Sequence, residues 1–280
     1  MTKAQTWPGV DPSSPEHGAR LLAKKLREKI SFSSEKLGKA TECYVAWLDL
    51  MGAGNMMSTS IHKAANAVAR IHLSVHYAKL EHGLNLHTVA INDGLFVMSP
   101  IKHDIVCVVR SALIHLVANF VARPDHPDRF LARSAIAYGP VYFGSTLAEQ
   151  LRPAQTRKDA KEAFSQIVLG APIIQAYRSE SMAPPYGVAV HDSARTFSPS
   201  AELPFRTTLW RWWQTDDAGG FSAATPQPVL PLKELFVSEL LDYFGYLDAT
   251  LPFHLIPEGK VAQWRRDARR YYLDYKKSDT

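Results

Sequence analysis

The stretch Ile91-Asn92-Asp93-Gly94 separates two apolar runs, residues 86–91 and 95–99, and it constrains the fold more than any other part of the sequence. Asn-Asp-Gly is a turn sequence suited to a tight β-hairpin, so the two runs are predicted to pair as antiparallel strands. If a hairpin lies here, the segments before and after it must supply the other strands and helices of the fold.

The flanking segments complete the order strand, helix, hairpin, helix, strand. Apolar runs over 43–50 and 130–138 predict strands, and amphipathic patterns from Ser58 or Ser60 to 81 and over 104–122 predict helices. This is the β-α-β-β-α-β plan, in which helices cover one face of a largely antiparallel sheet. We therefore predict an α+β fold with a ferredoxin-like core.

The rest of the chain is predicted to add a helix/strand unit and a C-terminal helical extension. A helix beginning at Gly170-Ala171-Pro172 lies between short strands over 165–169 and 186–190. A strand is expected over 205–213, and helices over 232–247 and 257–276. The predicted organisation is an N-terminal arm and helix (1–41), a catalytic domain (42–195) and an extension packed on it (196–280).

Composition narrows the class of protein. The 280 residues are 46% hydrophobic and 21% charged, which is ordinary for a soluble globular protein. Cys43 and Cys107 both lie in apolar runs and are interpreted as buried free thiols in a reducing compartment. Because the start has no apolar signal-peptide core and no stretch reaches bilayer length, we expect a cytoplasmic protein without a membrane partner.

Positive charge is concentrated near the C-terminus, where the residues between 260 and 277 carry the whole formal net charge of +5. Such a run can bind nucleic acid or an anionic membrane. It is also typical of a solvated helix face whose aromatic residues pack on the body. We favour the second interpretation and expect no nucleic-acid partner. The basic residues are Lys260, Arg265, Arg266, Arg269, Arg270, Lys276 and Lys277.

Two aspartates lie at predicted strand ends, Asp49 after the first apolar run and Asp93 in the hairpin turn. Alternate side chains of a strand share a face, which places Trp47 with Asp49 and Val89 with Asp93. If the strands over 43–50 and 86–93 are neighbours, the two carboxylates lie close enough to share a pair of divalent cations, which can activate a hydroxyl and hold a triphosphate. In the alternative interpretation, each aspartate only caps its own loop or turn.

Four motifs in sequence order resemble those of class III nucleotidyl cyclases. Trp47-Leu48-Asp49-Leu50-Met51-Gly52 resembles their first metal motif, and Asn92-Asp93-Gly94 resembles the second. The stretch from Arg133 to Gly144 is similar to their glycine-rich strand, with Ala135 replacing one glycine. The stretch from Gly170 to Arg178 resembles the start of their late helix. The similarity spans residues 42–190.

The resemblance implies roles for individual residues. Asp49, Asp93 and the backbone carbonyl of Leu50 would bind two Mn²⁺ or Mg²⁺ ions. Arg133 would contact phosphate, and Arg178 would stabilise charge on the α-phosphate, because a guanidinium fork matches phosphate oxygens. The family's sites lie at a homodimer interface, with the late-helix arginine coming from the other protomer. Alternatives are a strand-end ion pair for Arg133 and, for Arg178, an ion pair with an acidic residue, Glu180 or Glu162.

Three positions depart from the family pattern. Ile174 replaces the asparagine that precedes the late-helix arginine by one turn, and the nearest amide, Gln175, is displaced by about 100° around the helix. Val89 and Ile167 replace the lysine and aspartate with which purine cyclases commonly read the base. Apolar side chains cannot hydrogen-bond to a purine edge, so these departures favour a pyrimidine substrate.

The pattern as a whole is similar to the bacterial Pycsar pyrimidine cyclases, which implies an anti-phage signal, cyclic UMP or cyclic CMP, read by a separate effector. Trp47 or Tyr44 is expected to stack on the base, unless Trp47 is simply a core residue. Our leading hypothesis is a homodimeric cyclase of UTP, with CTP as the alternative. A non-catalytic nucleotide-binding module, favoured by Ile174, and a nucleic-acid binder using 260–277 are the other classes considered.

Overall fold

A computed structural model describes residues 11, 14–29, 37–149, 162–199, 202–214 and 229–274. Most of the first 13 residues and all of 215–228 lie outside these ranges. The chain forms two compact units, one from 1–40 and 142–169 and the other from 41–141 and 170–280. The domain boundaries predicted at 41/42 and 195/196 stay predictions.

The helices and strands of the described residues are numbered in chain order. They are α1 (Pro15–Lys29), β1 (Thr41–Met51), α2 (Ala53–Thr59), α3 (Ile61–Glu81), β2 (His87–Ile91), β3 (Gly94–Ser99), α4 (Lys102–Val121), β4 (Leu131–Phe143), α5 (Gly144–Ala148), β5 (Val168–Leu169), α6 (Ala171–Ser179), β6 (Val188–Val190), α7 (Asp192–Thr196), β7 (Leu209–Trp210), α8 (Val229–Ala249), α9 (Leu251–His254) and α10 (Lys260–Tyr272).

The main sheet confirms the predicted β-α-β-β-α-β core. Its strands lie in the order β2-β3-β1-β4-β6-β7. The first four strands are antiparallel to their neighbours, while β6 runs parallel to β4 and β7 antiparallel to β6. The order β2-β3-β1-β4, with the last core strand beside the first, is that of a ferredoxin-like fold. Strand β3 lies between β1 and β2, so the strand that precedes Asp93 is not the neighbour of β1; the two metal motifs are brought together by β1 and the β2–β3 hairpin.

The hairpin between β2 and β3 requires its glycine for a steric reason. Asn92 adopts a left-handed φ of 52°, as asparagine in tight turns often does. A Cβ at Gly94 would lie 2.5 Å from the carbonyl oxygen of Leu48 and from the ring of Trp47. The absent side chain therefore allows the turn to approach the end of β1, where Asp49 lies.

Helices α3 and α4 pack on one face of the sheet and form the main core with it. Ser60 caps α3 as predicted, and its side chain accepts a hydrogen bond from the backbone N–H of Lys63 at 3.3 Å. By length and composition alone, α4 could cross a membrane, contrary to the expectation from sequence. In this fold α4 is mostly buried, and it packs against α3 and α8.

The C-terminal elements from α8 to α10 belong to the same unit as the core. Tyr243 of α8 donates a hydrogen bond to the carbonyl of Arg129 at 3.1 Å, and Tyr272 of α10 donates one to that of Pro185 at 3.0 Å. Both tyrosines are buried, and the burial of Tyr271 and Tyr272 accounts for the aromatic residues among the basic ones in α10. The strand predicted over 205–213 is shorter, covering Leu209–Trp210, and α2 lacked a sequence signal.

The smaller unit is described by itself. Its strand β5 pairs with the last two residues of β4, Tyr142 with Leu169 and Phe143 with Val168. The backbone N–H of Gly144 donates to the carbonyl of Ile167 at 2.8 Å. The short helix α5 follows β4, and residues 150–161 lie outside the described part.

Candidate active site

The two faces of β1 differ in character. Tyr44, Ala46, Leu48 and Leu50 belong to the core that α3 and α4 cover. Tyr44 packs against Tyr138, with ring centroids 4.6 Å apart, and does not line the cleft described below. Its predicted stacking on a base is therefore corrected. Tyr44 lies on the opposite face of the strand from Trp47 and Asp49, because strand side chains alternate.

A cleft of about 530 Å³ lies on the other face, where β1, the β2–β3 hairpin and α6 meet. This volume is within the range of small-molecule sites. It brings Asp49 and Asp93 together, although they are 44 residues apart in sequence. The lining residues are Trp47, Asp49, Leu50, Gly52, Ala53, Gly54, Ile91, Asn92, Asp93, Phe96, Ile173, Ile174, Tyr177 and Glu180.

Helix α6 forms one wall of the cleft, and its start is fixed by close backbone packing. A Cβ at Gly170 would lie 2.4 Å from the carbonyl oxygen of Pro140, so glycine is required where the helix begins beside β4. Pro172 occupies the first turn, where its missing N–H costs nothing. Ile173, Tyr177 and Glu180 follow at helical spacing and line the cleft together.

Glu180, immediately after α6, connects this helix to β1 and β4. One of its carboxylate oxygens accepts a hydrogen bond from the indole Nε1–H of Trp47 at 2.5 Å. The other accepts one from Nη2 of Arg133 at 2.6 Å. Arg133 lies directly opposite Asp49 in the β1–β4 register and approaches its carboxylate at 3.4 Å. Four side chains from three elements thus form one network.

The Asp49 carboxyl lies in an environment that disfavours its ionised form. Burial, and next the negative charge and hydrogen bond of Glu180, raise the pKa of Asp49 from 3.8 to about 8. Asp93 raises this pKa further, while Arg133 lowers it. Burial is thus the main reason that the ionised form of Asp49 is disfavoured, and the carboxylates of Glu180 and Asp93 together outweigh the Arg133 guanidinium as the charges near it.

The donor set of the cleft fits a hard divalent cation that has further ligands. Carboxylate oxygens are the ligands preferred by Mg²⁺ and Mn²⁺. In the part of the chain that the structure describes, no group of three or more His, Cys, Asp and Glu side chains is arranged to hold a metal ion. Asp49 and Asp93 would therefore need to share the ion with other oxygens, as Mg²⁺ sites do when phosphate oxygens complete the shell.

Val89, Ile167 and Arg178, which were also predicted to belong to the site, do not line the cleft. Val89 is buried and pairs directly with Phe96 of the cleft wall, so an apolar row runs from Trp47 through Phe96 to Val89. Ile167 belongs to the smaller unit. Arg178 is exposed on α6 and is not among the lining residues.

The surroundings of Arg133 and Ile174 do not match the roles that the cyclase resemblance implies for these positions. Because the Arg133 guanidinium contacts Glu180 and Asp49, the structure favours the ion-pair alternative for this residue. Ile174 is 55% exposed and lines the cleft, which leaves an apolar group where the family has an amide.

Sequence reasoning did not include Glu180 among the site residues. Its partners, Trp47 and Arg133, are 133 and 47 residues away, so no local pattern reveals the contacts. One signal was present. Ile173, Tyr177 and Glu180 are spaced by four and three residues, which places them on one face of the late helix.

No protein-family model matches the chain, and no curated protein matches it in sequence. Several solved structures are similar to it. The guanylyl cyclase domain of the RhoGC fusion protein from the aquatic fungus Blastocladiella emersonii is 13% identical, with a TM-score of 0.41 over 56% of this chain and 84% of that chain. An adenylate cyclase from Trypanosoma brucei is 12% identical, with a TM-score of 0.40 over 57% of this chain and 76% of that one.

A bacterial light-regulated adenylyl cyclase is 11% identical, with a TM-score of 0.45 over 84% of this chain and 72% of that one. The fungal domain has been solved both as a monomer and as a dimer. At such low identities and TM-scores, these similarities assign no activity to the chain.

Proposed function

We propose that this protein is a nucleotide cyclase that converts a pyrimidine nucleoside triphosphate, UTP in preference to CTP, into its 3′,5′-cyclic monophosphate and pyrophosphate. The observation that carries the proposal is the meeting of Asp49 and Asp93 in one cleft, walled by α6, on a ferredoxin-like sheet. In the reaction, the 3′-hydroxyl of the substrate attacks its own α-phosphate and pyrophosphate leaves.

Asp49 and Asp93, with the backbone carbonyl of Leu50, are the proposed ligands of two Mn²⁺ or Mg²⁺ ions. All three residues line the cleft, and the excess negative charge around Asp49 supports the assignment. When bound, such ions would lower the pKa of the attacking hydroxyl and offset the charge of the triphosphate. Trp47, Phe96 and Tyr177 supply an aromatic wall for the rest of the nucleotide, with the Trp47 ring centroid 4.4 Å from that of Phe96.

The preference for a pyrimidine rests on the apolar character of two positions, Val89 and Ile167. Val89 is buried and presents no hydrogen-bonding side chain beside Phe96. Discrimination among bases requires fitted polar contacts, and the polar pair associated with purines is absent from this sequence. The resemblance to Pycsar cyclases supports a cytoplasmic role in anti-phage defence, with a separate effector that binds the product.

The active form is proposed to be a homodimer in which Arg178 of the partner subunit completes each cleft. Two observations support this arrangement. Arg178 is exposed and does not line the cleft of its own chain, and the cleft residues Ile174 and Tyr177 are more than half exposed. Mixing Asp93→Asn with Arg178→Ala should restore activity that neither variant has alone, because one of the two shared sites is then intact.

A product assay tests the proposal directly. Purified protein is incubated with Mn²⁺ and an equimolar mixture of ATP, GTP, UTP and CTP, and cyclic nucleotides are identified by mass spectrometry. We expect cyclic UMP to dominate, whereas cyclic AMP or cyclic GMP as the main product would contradict the pyrimidine assignment. Nucleotide binding without any cyclic product would instead support the regulatory-module alternative, which Ile174 in the cleft favours.

A further inference from the structure

Arg133 is shared unequally between two carboxylates. Its Nη2 lies 2.6 Å from Glu180, a short charge-assisted hydrogen bond. The same nitrogen and Nε each lie 3.4 Å from Asp49, beyond the usual 2.7–2.9 Å of such bonds. Among the described residues, Nε is buried without a hydrogen-bond partner. The guanidinium therefore forms its short hydrogen bond with Glu180 and only a long contact with Asp49, although Asp49 is its direct cross-strand neighbour.

Glu180 can hold Arg133 in this way because Glu180 is itself fixed. Its second oxygen accepts the indole N–H of Trp47 at 2.5 Å, and the Trp47 ring is 2% exposed and packed against Phe96. The side chains of both Arg133 and Glu180 are largely buried, with 19% and 12% exposure. A carboxylate with two short bonds in a buried site has little freedom to move away from either partner.

We propose that Glu180 is a positioning residue that draws Arg133 away from Asp49 and so keeps the Asp49 carboxylate available to a divalent cation. This inference rests on the function proposed above. Without the Glu180 charge, Arg133 would close on Asp49 and form the fork-to-fork pair that guanidinium and carboxylate favour. A cation would then have to displace a tight ion pair before it reached Asp49.

The proposal is tested by Mn²⁺ binding to the full chain without nucleotide, measured from the electron paramagnetic resonance signal of free Mn²⁺. Glu180→Gln keeps an acceptor for Trp47 but removes the charge that holds Arg133. We expect its Mn²⁺ Kd to rise about tenfold, at the lower end of the cost of changing a residue behind a metal ligand. Glu239→Gln is the matched control, because Glu239 makes a 2.7 Å ion pair with Arg129 elsewhere in the fold. Its Kd should stay within twofold of wild type.

A double-mutant cycle separates positioning from direct ligation. In the Arg133→Met background there is no guanidinium to draw away, so adding Glu180→Gln should change the Kd less than twofold. An unchanged Kd in Glu180→Gln alone would overturn the inference. So would an equal tenfold loss in both backgrounds, because Glu180 would then be a ligand itself.

Two further variants keep the inference testable if Glu180→Gln does not fold or if the proposed function is wrong. If Glu180→Gln does not fold, as judged by circular dichroism, Glu180→Asp keeps the charge with a shorter reach and should weaken Mn²⁺ binding a few-fold; no change would overturn the inference. Wild-type protein that binds no Mn²⁺, or Asp49→Asn that binds it as tightly as wild type, would instead contradict the proposed function itself. The two failures are therefore distinguishable.

Discussion

Two arginines four residues apart, the buried Arg129 and the half-buried Arg133, each pair with a glutamate at nearly the same distance, 2.7 and 2.6 Å. Their surroundings differ in the balance of charge. Arg129 faces one carboxylate, Glu239, and also donates two hydrogen bonds to the carbonyl of Arg123, at 3.1 and 2.8 Å. Arg133 faces two carboxylates, Asp49 and Glu180. The negative charge of Asp93 also raises the pKa of Asp49.

The difference distinguishes a structural ion pair from a candidate binding site. Around Arg129 the donors find backbone and side-chain acceptors, and the pair links the start of β4 to α8. Around Arg133, burial of Asp49, and next the negative charge and hydrogen bond of Glu180, raise the pKa of Asp49 to about 8, and the Arg133 guanidinium lowers it by less. A buried excess of one sign is costly unless a ligand offsets it, so the second cluster is the one expected to bind a cation.

The largest expected difference between the clusters is in activity. Asp93→Asn removes a proposed metal ligand and should lower cyclase activity by at least about a hundredfold, more than a residue behind the ligands would. Glu239→Gln should leave activity within twofold. Product formation from UTP and Mn²⁺ measures both variants. Similar losses in the two would remove the functional distinction between the clusters.

The next largest difference concerns stability. Arg129→Met leaves Glu239 without its guanidinium and is expected to lower the free energy of unfolding by about 2 kcal/mol, less than for a fully buried pair because Glu239 is one-third exposed. Arg133→Met leaves Asp49 and Glu180 without the guanidinium between them. It should destabilise the protein mainly at high pH, because at low pH Asp49 is protonated and no longer repels Glu180. Urea unfolding at pH 5.5 and pH 8.5 separates the two; the same pH response in both variants would contradict the account.

The pH dependence of wild-type stability follows from Asp49. The pKa of this carboxyl is raised in the folded state, so its contribution to stability is fully present below the unfolded value near 3.8 and is lost as pH rises through about 8. A single group changes the free energy of unfolding by at most about 1.4 kcal/mol per pH unit in this window. Asp49→Asn should therefore gain stability relative to wild type as pH rises, and a constant difference across the window would argue against the raised pKa.

The smallest expected effects come from one aromatic donor in each cluster. Trp47→Phe removes the N–H that holds Glu180, and Tyr243→Phe removes the hydroxyl that donates to the Arg129 carbonyl. Each loss is expected to cost about 1 kcal/mol of stability in urea unfolding. Only Trp47→Phe should also change the KM for UTP, and a comparable change in Tyr243→Phe would weaken the distinction.

The sequence predicted the parts of this account that depend on local patterns. The hairpin at Asn92-Asp93-Gly94, a serine cap at Ser58 or Ser60 and the order of elements along the chain follow from turn chemistry, capping and hydrophobic periodicity. The order of strands within the sheet did not, because β3 lies between β1 and β2. Alternation along β1 also placed Trp47 and Asp49 on one face, and applied to Tyr44 the same rule would have excluded it from the cleft.

The contacts of Glu180 were beyond the sequence, because they join residues far apart in the chain through side-chain packing. The charge balance around Asp49 could not be predicted from the sequence for the same reason. It depends on burial and on which carboxylates approach one another, and neither follows from periodicity.

The most direct test of the central claim is the time course of cyclic UMP and pyrophosphate from UTP and Mn²⁺, measured by mass spectrometry for wild type and Asp49→Asn side by side. We expect equal molar amounts of the two products from wild type and at least about a hundredfold less from a folded Asp49→Asn protein. No cyclic nucleotide from wild type, or equal yields from both proteins, would contradict it.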